Sequence, residues 1–288
     1  MRPDIERLAH PEDASAAYLH GQLRPSQGPL LEAFAAESEA ALSAFRPALE
    51  IAYGDHPRER FDLFSSAAPP RGALAYFHAG FWQSRDKAQF RFLAPAFLAQ
   101  GIDVALVNYP LCPDVSLRRL IESARQSIPA ILTHLSEVGR RQTQLVVAGH
   151  SAGGHLAVEL ALTDWVARGL ARSPICGILP ISGIYELTPL LATKLNDKLL
   201  LDLEEAGALS PLRRVDGALP PAHFLVGGLE TPEFRTQSDA MHTEWLQGSG
   251  VSSLQEVEGA DHFGVLRELA GDGAAFAPAM RLFATRGA

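Results

Sequence analysis

The sequence predicts an α/β protein with a mostly parallel central sheet, helices on both faces and a small helical cap. Three observations carry that expectation. Apolar runs of strand length recur at ALAYFH (73–78), DVALVNY (103–109), QLVVAGH (144–150), CGILPIS (176–182), AHFLVGG (222–228) and SSLQEVE (252–258). Helical stretches separate the first of them, at 86–100 and 114–138, and strands that alternate with helices pair in parallel with both faces covered. One connection, from Ile184 to Pro221, is longer than a crossover needs.

Residues 1–46 read as helical and polar-faced. Within them PLLEAFAAESEAALSAF (29–45) places apolar residues at helical spacing and has few β-branched ones. After Pro47 the pattern shortens. LEIAY (49–53) and ERFDLF (59–64) flank Gly54-Asp55 and His56-Pro57, which predicts a hairpin. The long connection contains TPLLATKLNDKLLLDLEEAGALSP, helical in pattern with stops at Gly207 and Pro211. It is expected to form a cap over the carboxyl edge of the sheet, with the N-terminal helices completing the same roof. No internal repeat or low-complexity linker interrupts the chain. Residues 1–288 are therefore expected to form one domain, with 1–46 as an N-terminal helical segment and 184–221 as a cap-like insertion.

Composition narrows the partners. The 288 residues are 47% hydrophobic, enough for one sizeable core. Lys and Arg number 25 against 33 Asp and Glu, a net charge of −8. That balance offers no footprint for nucleic acid or an anionic membrane. Cys112 and Cys176 make no disulfide framework, and MRPDIERLAH carries charges where a signal peptide needs an apolar core. No apolar run approaches the roughly 18 residues of a membrane span. The expected location is the cytoplasm, and both cysteines are expected to be packed thiols, Cys112 near the site. Composition leaves the oligomeric state open.

The chemistry is concentrated at Gly149-His150-Ser151-Ala152-Gly153, a G-x-S-x-G sequence. It follows the apolar run LVVA and opens the helical stretch GGHLAVELALTDWVARG, the strand–turn–helix setting of a nucleophile elbow. Such a turn strains the backbone at the serine, and a side chain two residues to either side would strike neighbouring backbone. The turn lifts Ser151 above the sheet at a helix N-terminus, which favours negative charge. The oxyanion of acyl transfer then needs donors. The amide after the nucleophile, Ala152, is one. The others are expected in His78-Ala79-Gly80-Phe81-Trp82, the loop after the third strand, at the amides of Gly80 and Phe81.

Of ten histidines, His262 is the candidate base. Asp261-His262-Phe263-Gly264 follows the last strand, and this architecture orders its triad as serine, acid, histidine. His78 and His150 precede Ser151, His155 reads as a packed helix residue, and His223 begins a strand. Glu230 is the first carboxylate past AHFLVGG and is the candidate acid, with Glu233 and Asp239 as rivals. Trp82, Tyr109, Tyr185, Phe234 and Phe263 fall on loops expected at the carboxyl edge, where they could bind an aryl group. Packing in cap and core is the competing role for these aromatics. No H-E-x-x-H sequence or clustered His/Cys spacing points to a metal, and no cofactor is called for.

With these residues in view, the chain resembles the serine-dependent kynurenine formamidase (arylformamidase) branch of the hormone-sensitive-lipase-like α/β hydrolases. The matching segments are HAGFWQ (78–83), NYPLCPDVSL (108–117), GHSAGGHL (149–156), SGIYELTPLL (182–191), SPLR (210–213), GGLETPEFRTQS (227–238) and DHF (261–263). The resemblance implies the α/β-hydrolase fold and a triad of Ser151, Glu230 and His262. It also implies an oxyanion loop at 78–82, where Ala79 departs from the usual glycine. The implied activity is hydrolysis of a small ester or amide through an acyl-enzyme, with aryl formamides such as N-formylkynurenine as the leading substrate. A general carboxylesterase for short acyl or aryl esters is the first alternative. A non-catalytic small-ligand-binding relative is the second.

Overall fold

The computed structural model describes residues 13–19, 23–67, 70–140, 144–248, 250–271 and 273–284. Of the segment 1–46 expected to be helical, residues 1–12 and 20–22 lie outside the described residues. An N-terminal pair of helices, α1 (Ala14–Tyr18) and α2 (Gln27–Phe45), leads into β1 (Ala48–Ala52) and β2 (Arg60–Phe64). There follow β3 (Gly72–Phe77), a 3-10 turn at Lys87–Leu93 running into α3 (Ala94–Ala99), β4 (Ile102–Val107) and α4 (Leu117–Glu137). Then come β5 (Leu145–His150), α5 (Ala152–Ala161) and β6 (Ile175–Ile181). Short helices α6 (Asn196–Leu199) and α7 (Leu203–Ala208) occupy the long connection. The chain closes with β7 (Ala222–Gly227), α8 (Pro232–Gln247), β8 (Ser252–Val257), α9 (Gly264–Arg267) and α10 (Phe276–Met280).

The eight strands form one sheet in the order β1-β2-β4-β3-β5-β6-β7-β8. β1 and β2 form the hairpin the turn residues predict, and β2 runs antiparallel to β4. Every other pairing is parallel. The central strands β3, β4 and β5 are buried at every residue, so their sequences read as continuous apolar runs. Their side chains still alternate between two cores. Ala75, Phe77, Val107 and Val147 meet α4, α5 and α8 through Ile121, Ile128, Leu156 and Met241. Leu74, Tyr76, Leu106 and Val146 meet α2, α3 and the 3-10 turn through Phe34, Phe97 and Phe92. Burying each such aliphatic side chain contributes roughly 1.5–3 kcal/mol, so the sheet's centre is the rigid part of the molecule. The carboxyl ends of β3, β5, β6, β7 and β8 lie side by side, and the loops leaving them carry every candidate catalytic residue.

The long connection forms no layer of its own. It is built from 3-10 turns at Thr188–Ala192 and Pro211–Arg213 and from α6 and α7. Gly207 lies inside α7, one residue before its end, and Pro211 opens the following turn. A buried acid holds the segment together: Glu186 accepts from Arg213, Thr188 and Ser210. Among the described residues, no helix is long and apolar enough to cross a membrane.

Candidate active site

The turn from β5 to α5 holds Ser151 at φ 56°, ψ −115°, a conformation that non-glycine residues rarely adopt. Strain of this kind costs about 1–3 kcal/mol and persists only where the surroundings impose it. Here the Ser151 amide donates to Ile181 O at the end of β6, and its carbonyl accepts from His155 N in α5. The flanking glycines are required by contact. A Cβ on Gly149 would stand 2.0 Å from Gly153 O, and one on Gly153 would stand 2.0 Å from Phe77 O. The second contact also shows that the start of α5 abuts the end of β3, where the next loop begins.

That loop is itself strained. Gly80, Phe81, Trp82 and Arg85 all have positive φ, at 128°, 51°, 59° and 72°. A Cβ at Gly80 would meet Ser84 O at 2.2 Å, so only glycine fits there. Gly80 O accepts from the amides of Gln83 and Ser84, which winds the chain into a tight turn. Tyr109 donates its hydroxyl to His78 O at 2.6 Å and stacks on the His78 ring. Arg58, on the β1–β2 hairpin, clamps the far side: it donates to Tyr109 O, Arg85 O and Asp86 Oδ2. The amides of Gly80, Phe81 and Ala152 donate to no acceptor among the described residues. Three amides are thus left free at the meeting of this loop with α5.

His262 and Glu230 meet across the ends of β8 and β7. His262 Nδ1 lies 2.6 Å from Glu230 Oε2. The other carboxylate oxygen accepts from Ser182 Oγ at 2.5 Å and from Gly227 N at 2.7 Å. A carboxylate held by three donors is fixed in place. Neither Glu233, in the first turn of α8, nor the exposed Asp239 makes such a contact with His262. His262 is boxed by rings: Phe234 and Phe263 stand edge-on to it at 4.8 and 5.5 Å, and His150 packs at 4.5 Å. His150 immediately precedes Ser151, so the elbow and the candidate base are in contact through it.

Residues 74–265 match a protein family described as the alpha/beta hydrolase fold. The chain belongs to the α/β-hydrolase family. It is 31% identical over 240 residues to a kynurenine formamidase of Danio rerio, covering 81% of this chain and 80% of that one. A kynurenine formamidase of Salmo salar is 27% identical over the same shares. A crystal structure titled as a thioesterase from a Silicibacter species superposes with a TM-score of 0.80 at 28% identity, over 91% of this chain and 96% of that one. The protein is a hydrolase of the serine type, acting on small esters or amides.

Within this α/β hydrolase the other histidines are explained by packing. His155 contacts Leu209 O at 2.9 Å and His223 contacts Ser253 Oγ at 2.7 Å. His78 shares its Nδ1 with Ala79 O, and burial pushes its pKa down to about 4. Burial also lowers the pKa of His150, well below its usual value, and that of His155. All three are therefore neutral when folded, which leaves His262 without a charged imidazole as neighbour. This sets an acid limit on stability. The unfolded chain protonates these rings near pH 6.5, whereas folded His78 resists until about 4. Their neutral burial is fully tolerated above pH 6.5, and stability is lost as pH falls from there toward 4. His78 alone accounts for a loss on the order of 3 kcal/mol. Urea midpoints at pH 7.5 and pH 5 are expected to differ accordingly, with His78→Gln flattening the dependence. An equal midpoint at both pH values would refute it.

The aromatic residues expected at the carboxyl edge lie packed beneath the surface. Trp82, Tyr109, Tyr185 and Phe234 are 0% exposed and Phe263 is 9% exposed, so none lines an open mouth. Tyr109 braces His78 from beneath. Tyr185 packs against Phe224, Trp82 against His155, and Phe234 against His262 and Tyr18. Phe81 is partly exposed. Cys112 and Cys176 are packed thiols whose pKa values burial pushes up to about 12 and about 11.

Sequence reasoning passed over three contributors. Ser182, at φ 48°, ends β6 and steadies Glu230. Arg58 holds the loop after β3 from a hairpin with no motif of its own. The N-terminal segment pins the acid and base loops. Arg24 donates to Leu229 O, Thr231 Oγ1 to Ala17 O, Gln237 to Tyr18 OH, and Ser26 Oγ to Asp261. Ser182 could have been found as a hydroxyl at the end of the strand beside the acid's strand. The others join residues up to 235 positions apart and leave no local signal.

Proposed function

We propose that the protein hydrolyses aryl formamides, N-formylkynurenine among them, with Ser151 as nucleophile, His262 as base and Glu230 as the acid that orients it. The observation that carries this reading is the 2.6 Å contact of His262 Nδ1 with Glu230 Oε2, on a chain resembling kynurenine formamidases along four-fifths of its length. With Nδ1 committed to Glu230, Nε2 is the nitrogen left to take the Ser151 proton. Ser151 Oγ then attacks the formyl carbon, and the oxyanion is received by the amides of Gly80, Phe81 and Ala152. His262 returns its proton to the leaving aniline nitrogen as the C–N bond breaks. Water, deprotonated by His262, attacks the formyl-serine, and formate leaves as Ser151 regains its proton.

Burial supports a small acyl group. Ser151, Glu230 and His262 are 1%, 4% and 6% exposed, so the reacting centre is enclosed and a formyl group is the acyl that needs least room. We also read residues 184–221 as a cap. Gln83, beside the oxyanion loop, donates to Leu195 O, and His155 of α5 contacts Leu209 O. Both links tie that segment to the site. The whole chain is read as one cytoplasmic domain, in keeping with two unpaired cysteines.

The test is a substrate series: formyl, acetyl, butyryl and octanoyl esters of one phenol, with N-formylkynurenine beside them. kcat/KM is expected to be highest for formyl and to fall with chain length. A maximum at octanoyl would overturn the small-acyl reading. Good ester turnover with none of N-formylkynurenine would assign the protein to the carboxylesterases.

A further inference from the structure

The cations around the site are nearly all matched by carboxylates. Arg58 pairs with Asp86, Arg213 with Glu186, Arg214 with Glu159 and Arg267 with Glu37. Arg85 differs. Among the described residues its guanidinium makes no hydrogen bond and no ion pair. It lies over the face of Phe263, with its central carbon 4.5 Å from the ring centroid, and Phe263 stands edge-on to His262. Arg85 is half-buried. The nearby Tyr76 hydroxyl is buried without a partner, and the two groups are close enough to act on each other electrostatically.

The backbone fixes this placement. Arg85 sits at φ 72°, in the left-handed region that a long side chain adopts only under constraint. Arg58 holds its carbonyl at 2.8 Å, and the Gly80–Ser84 turn holds the residue before it. The turn that offers the oxyanion amides thus also presents a cation toward the face of the base loop. A half-buried guanidinium costs desolvation, and burial does lower its pKa. Stacking on Phe263 leaves the edge of the guanidinium free, and that edge carries the paired N–H groups that match a carboxylate.

We propose that Arg85 is a specificity-determining residue that receives a carboxylate of the substrate. The inference rests on the aryl formamide reading and narrows it: the preferred substrate is an aryl formamide whose side chain carries a carboxylate, as the zwitterionic amino-acid side chain of N-formylkynurenine does. On a chain of net charge −8, general electrostatics does not attract an anion, so a local cation must supply the recognition.

The experiment compares each acid with its own methyl ester. One pair is N-formylkynurenine and its methyl ester. The other is the acetate of a phenol bearing a propionate side chain and the corresponding methyl ester. The readout is the ratio of kcat/KM, acid over ester, in wild type, Arg85→Met and Arg85→Lys. The wild type is expected to favour the acid. Arg85→Met is expected to lower the ratio about tenfold to a hundredfold, the range for one hydrogen-bonded charge, with the change in KM rather than kcat. Arg85→Lys, which keeps the charge without the fork, is expected to fall between them. Because each protein serves as its own control, partial misfolding cancels from the ratio. A ratio unchanged by Arg85→Met overturns the proposal. If neither formamide is turned over while the aryl acetates are, the formamidase reading fails separately, and the acetate pair alone decides the role of Arg85.

Discussion

Replacing Ser151 by alanine is expected to lower kcat by about 10⁶, with the fold retained and the same loss in His262→Ala. The two side chains act in one step, since the serine is a weak nucleophile until the imidazole takes its proton. Once either is gone the other has nothing to contribute. The double variant should therefore be little worse than each single one. Multiplying losses would mean that the two residues act independently, against the arrangement in which His150 joins the elbow to the His262 ring. His262→Ala empties the space of a buried ring, whereas Ser151→Ala removes one oxygen and leaves no large void. Circular dichroism and urea midpoints near those of wild type are expected for it. A fluorophosphonate should label Ser151 and no other residue, as mapped by peptide mass spectrometry. Labelling elsewhere would displace the nucleophile from the elbow.

Glu230→Gln is expected to cost about 10⁴ in kcat while leaving the fold intact, the scale seen when a triad acid becomes an amide. The network around Glu230 explains why so small a change should matter. Ser182 and the Gly227 amide both donate to Oε1. In glutamine the amide oxygen must stay there, because an NH₂ would face two donors. The NH₂ group is then turned toward His262 Nδ1. The imidazole must accept from it, which moves the ring proton to Nε2 and leaves no lone pair for the Ser151 hydroxyl. kcat should fall at every pH at which the wild type is active. Glu230→Ala, which permits water to replace the carboxylate, tests the same argument from the other side and should retain more activity than Glu230→Gln. A silent Glu230→Gln beside a sensitive Glu233→Gln would move the acid.

The parts of this protein that were legible in sequence are those whose cause is local. The central strands β3, β4 and β5 fall within two residues of their apolar runs, because a strand buried on both faces needs an unbroken run of such residues. The hairpin was legible in Gly54-Asp55 and His56-Pro57. Gly149 and Gly153 were legible because the tight turn leaves no room for a Cβ, and the contacts at 2.0 Å give that reason in distance. The order of elements also confined the search for acid and base to two loops.

Contacts between distant segments were not legible. Glu233 and Asp239 remained rivals of Glu230 in sequence because spacing along a loop does not say which carboxylate turns inward; the pairing of β7 with β8 and the hydroxyl of Ser182 decide it. A loop position does not specify side-chain direction, so the packing of Tyr109, Trp82 and Tyr185 against His78, His155 and Phe224 was not legible either. Arg58, Ser26 and Arg24 act through partners on other elements, and Arg85 draws its meaning from having no carboxylate near it. By itself the sequence determined the strands and the strained elbow at Ser151, since these depend on neighbours within a few residues. Only the tertiary structure decided which carboxylate meets His262, which rings are packed, and which cation lies over Phe263 with no carboxylate partner among the described residues, since each depends on what the rest of the chain brings close.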